Sequence, residues 1–321
     1  MKIINLLALS FLPRSLAFVA APTKARTSTC IGVTSLHSTD DDVHEQDTSS
    51  ISRRNMLWKA GAVASLTFVP SFSALADDVA ESSSGSAKIA KVVVAGSTGQ
   101  TGSRIYSKLL SDSAYTTTGG VRNVGKASKA LGNAANLKHL DVVEDSLDSL
   151  VATLKGADGL VIACGMNPGK NLLRMSAAAH EVDNVGTCKL IDAAKQAGIK
   201  KVVLVSSILT NGRDWGQEDS PGFKITNAFG GALDEKLAAE KYLRSSGLDY
   251  TIVRPGGLQA KAPTGALSIN AEDTLNSGEI SRDLVADVCI ASLNDPSVTN
   301  KVLEIIEDEG TPPKVFNGLK M

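Results

Sequence analysis

Beyond residue 86 the chain alternates short apolar runs with segments whose apolar residues recur every three to four positions. The runs near 89–95, 115–121, 137–140, 158–163, 200–206, 249–253 and 302–306 predict strands. The amphipathic segments near 100–111, 145–154, 174–197, 233–246 and 281–293 predict helices, and Gly198 stands where a helix stop belongs. Most of the strands carry apolar residues at consecutive rather than at every second position, as burial on both faces requires. Alternation of such strands with helices marks a parallel sheet covered on both sides. The expected fold class is therefore α/β, a Rossmann-like doubly wound parallel sheet in a single domain over residues 88–321.

The junction between the first strand and the first helix reads KVVVAGSTGQTG, residues 91 to 102. Its glycines fall in a tight strand-to-helix turn. Gly96 permits the turn, Gly99 lets a pyrophosphate approach the backbone, and Gly102 lets the helix pack closely on the sheet. Unpaired N–H groups at the helix start, together with the helix dipole, face the phosphates. Three glycines alone would be weak evidence; between a buried strand and an amphipathic helix they predict dinucleotide binding. The cofactor-binding set expected from this turn is Gly96, Ser97, Thr98, Gly99, Gln100, Thr101 and Gly102.

Three segments precede the domain. Residues 1–17 carry Lys2, an apolar stretch and small residues near Ala17, as a secretory signal peptide does. Residues 18–50 begin with Phe18, hold no acid until Asp40 and are rich in Ser, Thr and basic residues, as transit peptides are. Together they resemble the bipartite plastid leader of algae whose plastids came by secondary endosymbiosis. Residues 51–76 place Arg53-Arg54 before a mildly apolar run that ends in Ala74-Leu75-Ala76, like a twin-arginine signal for the thylakoid lumen. A linker over 77–87 follows. The expected address is the plastid, in the lumen, with the stroma as the alternative. Pro70 and several serines make the third segment a poor membrane span, so none is expected in the mature chain.

Charge is near balance, with 33 Lys+Arg against 34 Asp+Glu, and aromatics make up 4% of residues. That argues against a nucleic-acid partner. Four cysteines and four scattered histidines show no metal-ligand spacing. Cys164, Cys188 and Cys289 read as small buried hydrophobes.

The choice of dinucleotide rests on position 122. NAD-binding folds of this kind carry an acid about 20 residues past the last glycine, for the ribose 2′-hydroxyl. Here that position is Arg122, and a guanidinium suits a phosphate dianion. NADP(H) is the expected cofactor, ahead of NAD(H). Asp141 and Val142 follow the third strand, where a carboxylate can meet the adenine amino edge; alternatively Asp141 caps the next helix. Ala163, Cys164 and Gly165 end the fourth strand, where small residues let a cofactor pass. Ser206 ends the fifth, near where a nicotinamide would lie.

GSTGQTG at 96–102, VRN at 121–123, VDNVGTCKLIDAAKQAGIKKVVLVSS at 182–207, EKLAAEKYLRSSGLDYTIVRPGGL at 235–258 and EDTLNSGEISRDLVADV at 272–288 together resemble one family. It is the atypical short-chain dehydrogenase/reductase group in its NAD(P)H-binding, NmrA-like branch, and the likeness runs to plastid NAD(P)-binding proteins of plants and algae. Flavin and biliverdin reductases look like more distant relatives. The resemblance implies that Lys236 stands near the nicotinamide ribose and that Arg254, Pro255, Gly256 and Gly257 form a loop over the nicotinamide. The chain departs from the family's ketone/alcohol enzymes, where a Tyr four residues before that lysine acts as acid and base. Position 232 is Ala, and no Tyr-x-x-x-Lys exists anywhere in the chain.

Two functions are compatible with these residues. One is an NADP(H)-dependent oxidoreductase that passes hydride to a small conjugated acceptor (flavin, quinone or tetrapyrrole), with Lys236 and Ser206 as catalytic groups. Such acceptors spread the developing charge themselves, so hydride positioning can suffice. The other is a non-catalytic NADP(H)-binding redox sensor or scaffold with a thylakoid protein partner. Residues 212–229, with Trp215, Phe223 and Phe229, read as a loop, either a substrate lid or a segment packed on the body.

Overall fold

The computed structural model describes residues 88–321, apart from 133, 168–171, 229, 314, 315, 317, 320 and 321. The signal, transit and twin-arginine segments and the linker up to residue 87 lie outside the described residues.

Ten strands and eight α-helices follow in chain order: β1 (Lys91–Ala95), α1 (Gly102–Ser111), β2 (Thr116–Val121), α2 (Val124–Leu131), β3 (Leu137–His139), α3 (Leu147–Leu154), β4 (Gly159–Ile162), α4 (Met175–Ala179), α5 (Thr187–Ala197), β5 (Lys201–Val205), α6 (Pro221–Asn227), α7 (Ala232–Ser245), β6 (Asp249–Pro255), β7 (Gly257–Gln259), β8 (Ala266–Asn270), β9 (Glu279–Ser281), α8 (Arg282–Ser292) and β10 (Lys301–Asp308). Eight strands form one sheet in the order β3-β2-β1-β4-β5-β6-β10-β8, parallel except for β8 at the edge. β7 and β9 pair separately. This is the doubly wound arrangement, with strand order reversing between β1 and β4.

The pleat explains why β1 carries apolar residues at consecutive positions. In β1, Val92 and Val94 join Ile105, Tyr106 and Leu109 of α1 and Val285 and Cys289 of α8 on one face. Val93 and Ala95 join Leu150 and Leu154 of α3, Leu190 and Ile191 of α5 and Leu243 of α7 on the other. Each face has its own helical layer, so neither register of β1 can point to water. α1 and α8 are also tied by two parallel ion pairs, Arg104–Asp283 at 3.1 Å and Lys108–Asp287 at 2.6 Å.

All seven expected strands and the helices near 100–111, 145–154, 233–246 and 281–293 are present within a few residues of their bounds. Three regions differ. The helix expected over 174–197 is α4 and α5 joined by a π-helical segment, His180–Gly186. The segment 212–229 is not all loop: Ser220 caps α6 by accepting from Phe223 N, and Pro221 opens it. The short elements α2, β7, β8 and β9 were not expected. Asp141 does not cap α3; Ser146 does, accepting from Ser149 N.

Candidate functional site

Gly96 ends β1 at φ +83°, a conformation that side chains disfavour, and an added Cβ would lie 2.8 Å from the Ala163 carbonyl oxygen. A Cβ on Gly102 would lie 2.2 Å from the Gly96 carbonyl oxygen, so the start of α1 sits directly on the turn. Ser97 is buried and donates its hydroxyl to the Val94 carbonyl at 2.7 Å. Gly96 N and Ser97 N both donate to Gly120 O of β2, each at 3.2 Å. The turn is therefore fixed to its neighbouring strands and within itself: Gly99 N donates to Gly96 O at 2.8 Å, Ser103 N to Gly99 O at 2.9 Å and Arg104 N to Thr101 O at 3.0 Å.

Above this turn lies a cavity of about 580 Å³. Gly96, Thr98 and Gly99 line it from the turn, Arg122 from the end of β2, Asp141 and Val142 from the end of β3, and Ala163, Cys164 and Gly165 from the end of β4. Nine of the residues expected from sequence are thus brought to one crevice at the carboxyl ends of the strands. Gln100, Thr101 and Gly102 belong to the turn and helix start without lining it. Sequence reasoning missed the opposite wall, Asn167, Arg174, Ala178, Glu181 and Val182. Spacing along that helix would have shown one face, but nothing in the sequence marked the face as turned to a cavity.

Arg122 is exposed, with its carbonyl engaged by His139 Nδ1 at 3.0 Å. One Asp141 oxygen accepts from Val143 N at 3.0 Å, which bends the backbone after β3. Burial pushes the Cys164 thiol up to about 12, with Asp183 adding to the effect. The thiol stays protonated near neutrality, so Cys164 is a small wall residue and not a nucleophile.

Lys236 reaches the far end of the crevice from the first turns of α7. Its Nζ donates to Asp183 Oδ1 at 2.9 Å, and a Cβ on Gly165 would lie 3.9 Å from that Nζ. Asp183 is almost fully buried and also lies 3.3 Å from the Met166 amide through both oxygens.

Ser206 and Pro255 are placed differently. Ser206 is buried, and its hydroxyl donates to Glu240 Oε1 at 2.5 Å. Pro255 ends β6, buried, with its carbonyl accepting from Ile208 N. Arg254, implied to lie in a loop over the nicotinamide, is a fully buried strand residue. Its guanidinium donates to Glu240, Glu272, Asp273 and Glu304 at distances from 2.7 to 3.3 Å. Those carboxylates hold its proton more tightly than in water, even though burial alone acts the other way. Glu304 also accepts the amides of Asp273, Thr274 and Leu275. Thr210 donates to Glu240 at 3.1 Å and Asn211 to Asp273 at 2.7 Å. Leu209, between Ser206 and Thr210, sits at φ +67° and Asp273 at φ +59°. The segment after β5 is thus held in a strained shape by a buried charge network.

A mostly parallel sheet with a glycine-rich turn at its switch point and a crevice over the strand ends defines a nicotinamide-dinucleotide-binding protein with an oxidoreductase-type fold. The model of the NAD(P)H-binding family matches residues 96–296, and the chain belongs to that family. An uncharacterised chloroplastic protein of Arabidopsis thaliana is 42% identical over 236 residues, covering 72% of this chain and 82% of that protein. Sanguinarine reductase of Eschscholzia californica is 35% identical over 147 residues, 44% of this chain and 51% of that one. Among solved structures, the oxidoreductase ylbE of Lactococcus lactis superposes with a TM-score of 0.56 at 27% identity, over 69% of this chain and 92% of that one. Among the described residues no helix is long and apolar enough to cross a membrane, and no cluster of His, Cys, Asp and Glu could hold a metal ion.

Proposed function

We propose that the protein is an NADP(H)-dependent reductase of the plastid that delivers hydride to a flat conjugated acceptor. The observation that carries the reading is the crevice itself. It is lined by the glycine turn, by Arg122 and by Gly165, and the Lys236–Asp183 pair stands next to Gly165. The turn fits two linked phosphates, because side chains at Gly96 and Gly102 would collide with backbone. Arg122 is exposed in the crevice where an NAD-specific fold would present a carboxylate, and it would take the 2′-phosphate. Lys236, steadied by Asp183, would hold the ribose on the nicotinamide side. When bound, the cofactor supplies the hydride.

The acceptor is assigned from what is missing. Ala232 stands where a Tyr would serve ketone chemistry, so the acceptor must spread its own developing charge, as a flavin, quinone or tetrapyrrole does. Two relatives bear names of reductase or oxidoreductase type, which supports the reading. The test is NADPH oxidation by the purified protein against FMN, a panel of quinones and bilins. Turnover of at least one member, reduced by Lys236→Ala, is the expected result.

Ala232 also favours a second reading, a non-catalytic NADP(H)-binding redox sensor or scaffold at the thylakoid. It predicts no turnover and a pulled-down partner that changes between NADPH and NADP⁺. Plastid residence is supported by the chloroplastic relative and by the leader composition. N-terminal sequencing of protein from isolated thylakoids tests the lumenal address: a start near Asp77 supports it, and a start between residues 20 and 50 in soluble stroma points to the stroma instead.

A further inference from the structure

Without Tyr-x-x-x-Lys, the reductase reading lacks a proton donor for the acceptor. Two carboxylate–base pairs lie side by side where the π-helical segment packs on α7. One is Lys236–Asp183. In the other, His180 Nδ1 lies 3.0 Å from Glu235 Oε2, and Asn184 Nδ2 donates to the same oxygen at 2.7 Å. A carboxylate can only accept, so Nδ1 carries a hydrogen and Nε2 is left as the exchanging nitrogen.

Positions 232, 235 and 236 share one face of α7, being spaced by three and four residues. His180 therefore approaches, from the neighbouring helix, the face on which the missing tyrosine would stand. Its side chain is 40% exposed, while that of Asp183 one turn away is 1% exposed. It meets water there, beside the Lys236–Asp183 pair, and its chain neighbours Ala178, Glu181 and Val182 line the crevice. The π-helical geometry that turns it there is rare and gathers at functional sites.

We infer that His180, oriented by Glu235, is the acid that protonates the reduced acceptor. The inference rests on the reductase reading. As hydride reaches the acceptor, an oxygen or nitrogen of the acceptor takes the proton from His180 Nε2. The imidazole is left neutral with its Nδ1–H on Glu235, and water reprotonates it. The acceptor gains two electrons and two hydrogens; the nicotinamide is oxidised. The charged partner of the ring is Glu235 at 3.0 Å; next to these two in sequence are Lys236 on α7 and Glu181 on the π-helical segment, with Arg174 paired to Glu181 at 3.7 Å and Asp183 to Lys236.

Two measurements on the full protein test this. In His180→Gln, kcat with the best acceptor falls about 100-fold or more, KM for NADPH is unchanged, and the loss of rate on raising pH through the imidazole titration disappears. A variant that keeps both kcat and that limb overturns the inference. Independently of turnover, NMR titration of the His180 ring gives a lower midpoint with NADP⁺ bound than with NADPH, because the oxidised nicotinamide is positive. Equal midpoints overturn it whether or not any acceptor is reduced. If the wild type reduces nothing, the reductase reading fails by itself, and the midpoints still decide whether His180 faces the nicotinamide.

Discussion

The floor of the crevice, at the turn after β1 and the end of β4, is made of backbone and small side chains, whereas the block behind β5, β6 and β10 is held by long charged ones. In the first region collisions with a Cβ exclude every residue but glycine at Gly96 and Gly102. In the second, one fully buried guanidinium binds four carboxylates, two of them fully buried as well. The first arrangement leaves amides free for a ligand that brings its own negative charge. The second leaves nothing free, and its product is shape: Ser206, Thr210 and Asn211 are pinned after β5 with Leu209 strained between them. One half of the molecule is built to receive charge and the other to consume it internally.

Removing the centre of the charged half should have the largest effect. Arg254→Met leaves Glu240 and Glu304 buried without their cation and should cost about 3–5 kcal/mol in urea unfolding. Adding Glu240→Met should recover part of that loss, because the uncompensated charge goes too. In the crevice, the expected losses are of binding, joined at Gly102 by a loss of stability because a Cβ there collides with backbone. Arg122→Ala should weaken NADPH by about 1.5–3 kcal/mol, the worth of hydrogen bonds to a charged group, and leave NADH unchanged in titrations at fixed salt. Gly102→Ala, whose Cβ meets the Gly96 carbonyl at 2.2 Å, should weaken both nucleotides alike, about tenfold or about 1.4 kcal/mol, as measured by the same titration.

A smaller effect sharpens the contrast from within β5. Lys201 is buried, with its amine on Thr299 Oγ1 at 2.8 Å, and burial pushes it down to about 8. Its folded value lies below the unfolded one, so between these values the unfolded chain binds the extra proton and the native state gains as pH rises. Relative to Lys201→Met, wild-type stability should increase by about 1 kcal/mol between about pH 8 and 9, read from urea midpoints at the two pH values.

The two regions also differ in how far the sequence discloses them. The turn, Arg122 and the ends of β3 and β4 are legible because they are local: a buried strand, spaced glycines and a fixed offset mark them. Gly198 was read as a stop for the same reason, and it takes φ +75° at the end of α5. Arg254 is not legible, since its partners lie 14 to 50 residues away and are joined only by the sheet order. β8 is half-buried along its whole length, and its alternation, Leu267, Ser268, Ile269 and Asn270, is only four residues long. α2 carried a signal, Val124, Ala127 and Leu131 at helical spacing between the cap Asn123 and Gly132. α6 carried one too, Ser220 followed by Pro221. The π-helical segment carries none, because one extra residue per turn leaves an apolar pattern much like that of an α-helix, and the pairing of His180 with Glu235 went unread with it.

The most direct measurement is a crystal structure of the protein with NADPH. The pyrophosphate should lie within hydrogen-bonding distance of the backbone amides between Thr98 and Gly102, with the third phosphate on the Arg122 guanidinium and the nicotinamide directed to Gly165 and Lys236. Nucleotide bound elsewhere, or an empty crevice at saturating NADPH, would contradict the account.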